Sequence, residues 1–485
     1  MTEIAFLSAV ELAAKIRARE ISSEELLNHF ATRIDRYNPE INAVIFEWRE
    51  RALDEARAAD KKLGSGDTLG PLHGVPMTVK ESFPVTGTPN TWGDPKERDN
   101  IASADALAIQ RLRQTGAIVF GKTNVPLRLA DMQSYNELYG TSNNPFDLSL
   151  TPGGSSGGGA ASLAAGFTGL EMGSDIGGSI RTPCHFCGVF GHKPTYNLVP
   201  LLGHALDPQI RAPADISVIG PMARSAQDLA VTLQTLAGPS GIMARGFQLA
   251  LPTLDGRSLK NLRVATWSDD STCPVTTETA QRVEDVAQAC ADAGADVQAV
   301  RPDFDSMHHQ STYDYLLQAE MASRRSAEEF ENTMRYLESL DPAEAHPRTL
   351  ASLRAQVGSH RTWKSHVEDR ERIRWKWHEF FQEYDVLLAP ITPTPAFKHD
   401  HRSFGERTLK VDDLEIRYGD QVFWAGIASL GYLPATAIPT GLNAQGLPIG
   451  VQIIGPEYAD LITIGVASEL ESIGFSFTPP AHYLA

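Results

Sequence analysis

Residues 151–195 read TPGGSSGGGAASLAAGFTGLEMGSDIGGSIRTPCHFCGVFGHKPT. Two serines sit among glycines here: Ser155 in Gly153-Gly154-Ser155-Ser156-Gly157-Gly158, and Ser179 in Asp175-Ile176-Gly177-Gly178-Ser179-Ile180-Arg181. Glycine permits positive φ and lets a backbone approach a ligand closely. Consecutive free N–H groups in such a turn can converge on one point, which is the geometry that holds a phosphate oxygen or the oxyanion of a tetrahedral intermediate. The stretch is not a flexible linker. Ala160, Ala161, Leu163, Ala164 and Ala165 follow the first glycines and read as a small-residue helix packed against a neighbour.

Single motifs within the stretch are weak. A Walker-type phosphate loop needs Gly-Lys-Ser/Thr at the helix start, and no lysine follows Gly157-Gly158-Gly159. Gly153 to Gly157 spell G-x-S-x-G, but a nucleophile elbow follows an apolar strand, and Pro152 spoils that strand. Cys184 and Cys187 form a C-x-x-C with no second pair or His pair to complete a zinc site, so buried packing is the better reading.

Outward from this stretch the chain alternates strand and helix. Val75 to Lys80 reads as a short strand, about Asp105 to Gln114 as a helix, and Ala117 to Phe120 as a buried strand. Ser225–Leu236 and Glu278–Ala293 read as helices, and Leu262–Trp267 and Asp385–Pro390 as strands. Pro434–Pro439 and Pro448–Ile454 form a hairpin-like pair, and a last helix covers about Asp460 to Ser472. Segment 311–384 is mostly helical, broken near Pro342 and Pro347. At the start, Ser8–Glu11 and Ser22–Glu25 match the capping-box pattern. Leu26, Phe30 and Ile34 mark one helix face, ended by Asn38-Pro39. A further helix is expected from about Ala43 to Lys62. The class is therefore α/β, with an N-terminal helical segment over 1–64.

The chain has 485 residues, 42% hydrophobic and 21% charged, close to an ordinary globular protein. At roughly 100–200 residues per domain the length allows about three domains. The net charge of −17 disfavours generic nucleic-acid or anionic-membrane binding, which wants clustered positive charge. Four cysteines do not make a disulfide framework. Glu3 and Glu11 in the first residues and the lack of a basic stretch do not suit a signal peptide, and no run approaches the roughly 20 apolar residues of a membrane helix. These signals lead to an expectation of a cytoplasmic protein.

Taken together, the two Gly/Ser motifs and an upstream lysine strand are far more specific. The chain resembles the amidase signature family of serine hydrolases. The resemblance starts at Gly70-Pro71-Leu72-His73-Gly74-Val75-Pro76-Met77-Thr78-Val79-Lys80-Glu81. It runs through Gly121-Lys122-Thr123-Asn124 and Gly140–Pro145, is densest over Gly153–Thr195, and returns at Gly220–Ser225 and Gly446–Gly455. It implies one large domain spanning 1–485, with a central mixed, twisted β-sheet covered by helices on both faces. The catalytic core would be 70–240, with 311–384 a helical insertion or cover over the active site. It implies a serine nucleophile, a second serine held by a cis peptide bond, and a lysine. By position these are Ser179, Ser155 and Lys80, with an oxyanion hole from the N–H groups of Ile176, Gly177, Gly178 and Ser179.

The chemistry constrains that lysine. A serine hydroxyl needs a base, and Lys80 can serve only when neutral, so its pKa must fall from about 10.4 toward 7–8. Burial without an intimate carboxylate does this by desolvation. Glu81 follows Lys80 on the strand, so its side chain points to the opposite face. Lys122 and Lys193 lie in matching blocks but not at the lysine position and are read as structural. Arg181 and Asp175 are expected to shape the loop. A Ser-His-Asp alternative would draw on His73, His185, His192 or His204.

Specificity is expected from segments outside the matching blocks: Met132 to Tyr139, the loop Leu201 to Ile216, the helical region near Tyr313 to Met321, and Phe423-Trp424. Met132, Tyr135, Leu202 and Trp424 would make a largely apolar pocket, suited to neutral, hydrophobic or aryl amides and anilides. The tryptophans of 363–377 read as core or surface residues. The expected partners are a small-molecule amide and water, with no cofactor, metal, nucleic acid or membrane, and with a homodimer as an option. The alternative function is a glutamine-hydrolysing subunit of a tRNA-dependent amidotransferase.

Overall fold

Residues 4–65 and 69–484 are described by a computed structural model. An 11-stranded mixed sheet runs through it. In spatial order its strands are Val44–Glu47, Ile118–Thr123, Pro76–Lys80, Glu171–Asp175, Val218–Ala223, Phe190–Lys193, Ala435–Leu442, Pro448–Ile454, Val386–Pro390, Arg263–Thr266 and Asp296–Ala299. Parallel pairs lie toward both ends, and an antiparallel block from Glu171–Asp175 to Val386–Pro390 fills the centre. Every residue of Pro76–Lys80, Ile118–Thr123, Glu171–Asp175 and Pro448–Ile454 is buried, so both faces of the sheet are covered there. The covering elements are helices, among them Gly157–Ala164, Arg181–Cys187, Ala226–Leu236, Thr277–Asp292 and Asp460–Ser472.

Local signals explain the helix starts. Ser8 with Glu11, and Ser22 with Glu25, each make both hydrogen bonds of a capping box. Asp228 then ties the first helix to the body: its carboxylate accepts the N–H of Ala9 and Val10 at 2.9 Å. That is an anion at a helix N-terminus, where the unsatisfied donors and the helix dipole favour it.

Two expectations for the N-terminal segment are corrected. The helix beginning at Ser23 does not stop at Asn38-Pro39 but runs to Ile41. Pro39 sits in the last turn, where its missing N–H removes one terminal bond, and Asn42 closes the helix in the left-handed conformation. The second concerns Ala43–Lys62. Val44–Glu47 is an edge strand paired antiparallel with Ile118–Thr123, and the helix begins only at Arg49 and runs to Ser65. Val44, Ile45 and Phe46 are β-branched or aromatic, and a partner distant in sequence outweighs the helical pattern. The 1–64 segment is therefore not wholly helical; residues 1–3 lie outside the described residues.

Helices Ser306–Ala322, Ala327–Ser339, Pro347–Gln356 and His360–Glu383 follow one another. The first packs on the third, the fourth and the buried helix Val422–Leu430. Trp377 is fully buried in this group, whereas Trp375 is exposed. Among the described residues no helix is long and apolar enough to cross a membrane.

Candidate active site

Lys80 ends a central strand, and its side chain is fully buried. Its Nζ lies 2.7 Å from Ser155 Oγ and 2.9 Å from Ser174 Oγ. Ser155 follows a cis peptide bond from Gly154 and sits in the turn that leads into the helix Gly157–Ala164. This helix enters close to the sheet because its first residues lack side chains. A Cβ on Gly158 would stand 2.4 Å from the Asn124 nitrogen, so any larger residue would push the helix and the Ser155 turn outward.

Ser179 lies in the turn between the strand Glu171–Asp175 and the helix Arg181–Cys187. The Ser179 carbonyl accepts the Ser156 N–H at 3.1 Å, which joins the two Gly/Ser turns directly. Ser179 is 8% exposed, against 1% for Ser155 and 0% for Lys80. Access from solvent therefore falls along the series Ser179, Ser155, Lys80. Ser155, Ser174, Ile176 and Ser179 all line one cavity of about 1220 Å³.

The turn around Ser179 is held by a buried ion pair. Arg181 Nη2 lies 2.9 Å from Asp175 Oδ1, and both side chains are inaccessible to solvent. Burial pushes the Asp175 carboxyl up, but the Arg181 guanidinium and hydrogen bonds from Arg181 and the Gly178 N–H outweigh it and bring it down to about 2. Arg181 also reaches the Ala425 carbonyl and Gln452 Oε1, fastening the turn to neighbouring elements. Gly178 has φ of +98°, a region that strongly favours glycine.

The four N–H groups expected to hold an oxyanion differ in their partners. The Gly178 N–H is already donated to Asp175 Oδ1 at 2.9 Å. The N–H groups of Ile176, Gly177 and Ser179 have no protein acceptor among the described residues. Of these residues, Ile176 and Ser179 line the cavity.

Burial brings Lys80 down to about 7, while the Asp175 and Glu171 carboxylates work in the opposite direction. Burial also pushes the Glu171 carboxyl up to about 8, against hydrogen bonds from Thr78 and Thr123. Burial thus weakens Glu171 as a counter-charge to Lys80. The Glu81 carboxylate points away from Lys80 and accepts the N–H groups of Thr91 and Trp92.

A lowered pKa alone does not single out Lys80, since burial also brings Lys193 to about 7. Lys193 Nζ, however, donates to the Pro194 and Leu433 carbonyls at 3.0 and 2.7 Å. Lys122 Nζ reaches the Glu81 and Pro89 carbonyls. Geometry separates the three: only Lys80 meets a serine of the cavity. Three of the four candidate histidines are engaged elsewhere. His73 meets the Ala59 carbonyl, His185 the Gly450 and Thr394 carbonyls, and His192 Asp460 and Thr436. His204 lines the cavity and lies 2.9 Å from Ser82 Oγ. Cys184 and Cys187 are buried free thiols directed at the Phe190 and Pro152 carbonyls, and burial raises both.

The expected pocket residues fare unevenly. Leu202 lines the cavity. Met132, Tyr135 and Trp424 do not. Trp424 is fully buried, donates to the Cys273 carbonyl and packs on Trp267 and Phe423. Tyr135 stacks on His401 and bonds to Arg407, and Met132 packs in the same core as Trp424. The lining includes Leu201, Ile210 and Ala214 of the expected loop and Gln318 and Met321 of the expected helical stretch, together with Ile242, Met243 and Arg324, which lie outside the expected segments. Ser174 was missed from sequence. Its signal was the run of polar residues Glu171, Ser174 and Asp175 in a fully buried strand.

The amidase family model matches residues 25–463. A glutamyl-tRNA(Gln) amidotransferase subunit from Carboxydothermus hydrogenoformans is 30% identical, over 97% of each chain. The fatty-acid amide hydrolase 2-B of Danio rerio is 33% identical, over 96% of this chain and 89% of its own. A solved amidase superposes with a TM-score of 0.78 at 26% identity, covering 96% of this chain and 100% of its own.

Proposed function

This chain belongs to the amidase family of amide-hydrolysing enzymes, and we propose that Ser179, Ser155 and Lys80 form its catalytic relay. The observation that carries the proposal is Lys80 Nζ, buried and 2.7 Å from Ser155 Oγ, beneath a cavity that Ser155 and Ser179 both line. Ser179 Oγ attacks the amide carbonyl carbon. Its proton passes to Ser155 as Ser155 gives its own to neutral Lys80. The N–H groups of Ile176, Gly177 and Ser179 hold the oxyanion. Lys80, through Ser155, then returns a proton to the leaving nitrogen as the C–N bond breaks. Water hydrolyses the acyl-enzyme by the same route.

The pH dependence follows with a definite sign. The base must be neutral, so protonation of Lys80 removes activity. With Lys80 at about 7, kcat/KM should fall tenfold per unit below that value and level off above it. Steady-state rates on a non-ionising anilide between pH 5 and 9 check this. A flat profile across 6–8 would contradict a base held near neutrality.

The favoured substrates are neutral hydrophobic or aryl amides and anilides. The cavity, at about 1220 Å³, exceeds the roughly 300–1,000 Å³ of ordinary small-molecule sites, and much of its wall is apolar. The helix Ser306–Ala322 and the turn after it would cover this cavity, since Gln318, Met321 and Arg324 line it. A buried methylene contributes about 0.8 kcal/mol, so each acyl carbon that the wall covers should raise kcat/KM up to about fourfold. A series of acyl p-nitroanilides from acetyl to dodecanoyl measures this. Faster turnover of acetamide or of small charged amides than of the long acyl anilides would contradict it. The similarity to an amidotransferase component favours a second reading, hydrolysis of glutamine for a partner that binds charged tRNA. That reading requires glutaminase activity and a stable partner, and the same panel with glutamine included separates the two.

A further inference from the structure

Gly177 and Gly178 give the Ser179 turn its shape and also make it easy to deform. Neither has a Cβ, so rotation of the peptide units around them meets little steric resistance. One rotation matters most. In a trans peptide the C=O of one residue and the N–H of the next point in opposite directions. The 176–177 peptide is trans, the one cis bond among the described residues being at 154–155. If this unit flipped, the Ile176 carbonyl oxygen would face the site in place of the Gly177 N–H. A donor to the oxyanion would become a repelling dipole.

Each of the two peptide units is clamped from outside. The unit between Gly177 and Gly178 is held by Asp175, which takes the Gly178 N–H. The unit between Ile176 and Gly177 is held by Tyr313, whose Oη donates to the Ile176 carbonyl at 2.9 Å. Tyr313 comes from the helix Ser306–Ala322, outside the strand–turn–helix unit that carries Ser179. Its side chain is fully buried, and the neighbouring glycines leave it no spare room. A Cβ on Gly426 would stand 2.6 Å from Tyr313 Cδ1, and one on Gly177 would stand 3.2 Å from its hydroxyl oxygen.

We propose that Tyr313 is a positioning residue. Its hydroxyl fixes the Ile176–Gly177 peptide and so aims the Gly177 N–H at the place the substrate oxyanion occupies. Tyr313 touches no reacting atom; it acts through the backbone of the turn. The same contact makes the helical segment a part of the oxyanion site as well as a wall of the cavity. The inference rests on the reading of Ser179 as nucleophile.

Tyr313→Phe keeps the ring and removes only the hydroxyl. Deleting an oxyanion donor outright costs about 10²–10³ in kcat. Loosening its aim should cost less, about 10- to 100-fold in kcat, with KM for an acyl anilide changed less than about twofold. A trifluoromethyl ketone, which forms a tetrahedral oxyanion adduct on a nucleophilic serine, should lose affinity by the same factor as kcat. The product carboxylic acid should bind as before, and the acid limb of the pH profile should not move. Gly426→Ala, which crowds the ring while leaving the hydroxyl in place, should show the same split. Unchanged kcat and ketone affinity in folded Tyr313→Phe would overturn the proposal. So would a uniform loss for ketone, acid and anilide together with a lowered thermal midpoint, which marks simple packing. A ketone that binds Ser179→Ala as tightly as wild type removes the nucleophile reading, and this inference with it. A Ser179-dependent adduct that forms equally well in Tyr313→Phe defeats this inference alone.

Discussion

Ser179→Ala is expected to reduce amide turnover by about 10⁴–10⁶-fold, the scale on which serine hydrolases lose activity without their nucleophile. The expected change is confined to kcat. Ser179 is only 8% exposed, and its side chain contributes little of the large cavity's wall, so substrate affinity should survive. The fold should survive as well, because the turn is held by the Asp175–Arg181 pair and by the backbone bond from Ser156 to the Ser179 carbonyl. Neither uses the Ser179 hydroxyl. Single-turnover measurements with product quantified by chromatography reach the required sensitivity. Residual activity within about tenfold of wild type would move the nucleophile elsewhere.

Lys80→Met should be nearly as damaging. Methionine fills most of the lysine volume without a proton-accepting nitrogen. General-base catalysis is worth about 10²–10⁴-fold, and a base that also returns the proton to the leaving nitrogen acts in more than one step. Residues that act as one unit are not additive. The double variant Ser179→Ala/Lys80→Met should therefore be no slower than Ser179→Ala alone. Multiplying losses would mean that Lys80 and Ser179 serve separate steps. Lys193→Met supplies the control. Its amine is likewise brought to about 7 but faces two backbone carbonyls, so its loss should appear in stability and not in the pH profile.

What could be read from the sequence was local or strongly patterned. The capping boxes at Ser8 and Ser22 depend on residues three apart, and both form as read. The strand ending at Lys80 was legible from its apolar run and the turns carrying Ser155 and Ser179 from their glycines, whereas the joining of the three positions in one site was implied only by the resemblance. Val44–Glu47 was not legible, because its strand character comes from pairing with residues more than seventy positions away. The pocket was harder still. Trp424 and Tyr135 are large and apolar enough to line a cavity, but direction decides. The Trp424 N–H is satisfied by the Cys273 carbonyl, and the Tyr135 hydroxyl by Arg407, which turns both away from Ser179. Tyr313 opens a helical stretch expected to border the pocket, but nothing local in the sequence aims its hydroxyl. Its contact with the Ile176 carbonyl joins positions 137 residues apart.

The roles of Ser179 as nucleophile and Lys80 as the base that activates it are tested most directly by covalent labelling. The purified protein is reacted with a fluorophosphonate, and the adduct is located by peptide mass spectrometry. One adduct per chain is expected, on Ser179, forming faster as pH rises through about 7 and lost at matched exposure in Lys80→Met. An adduct on another residue would contradict these roles. So would turnover of an amide with no adduct formed, or labelling of Ser179 at the same rate with and without Lys80.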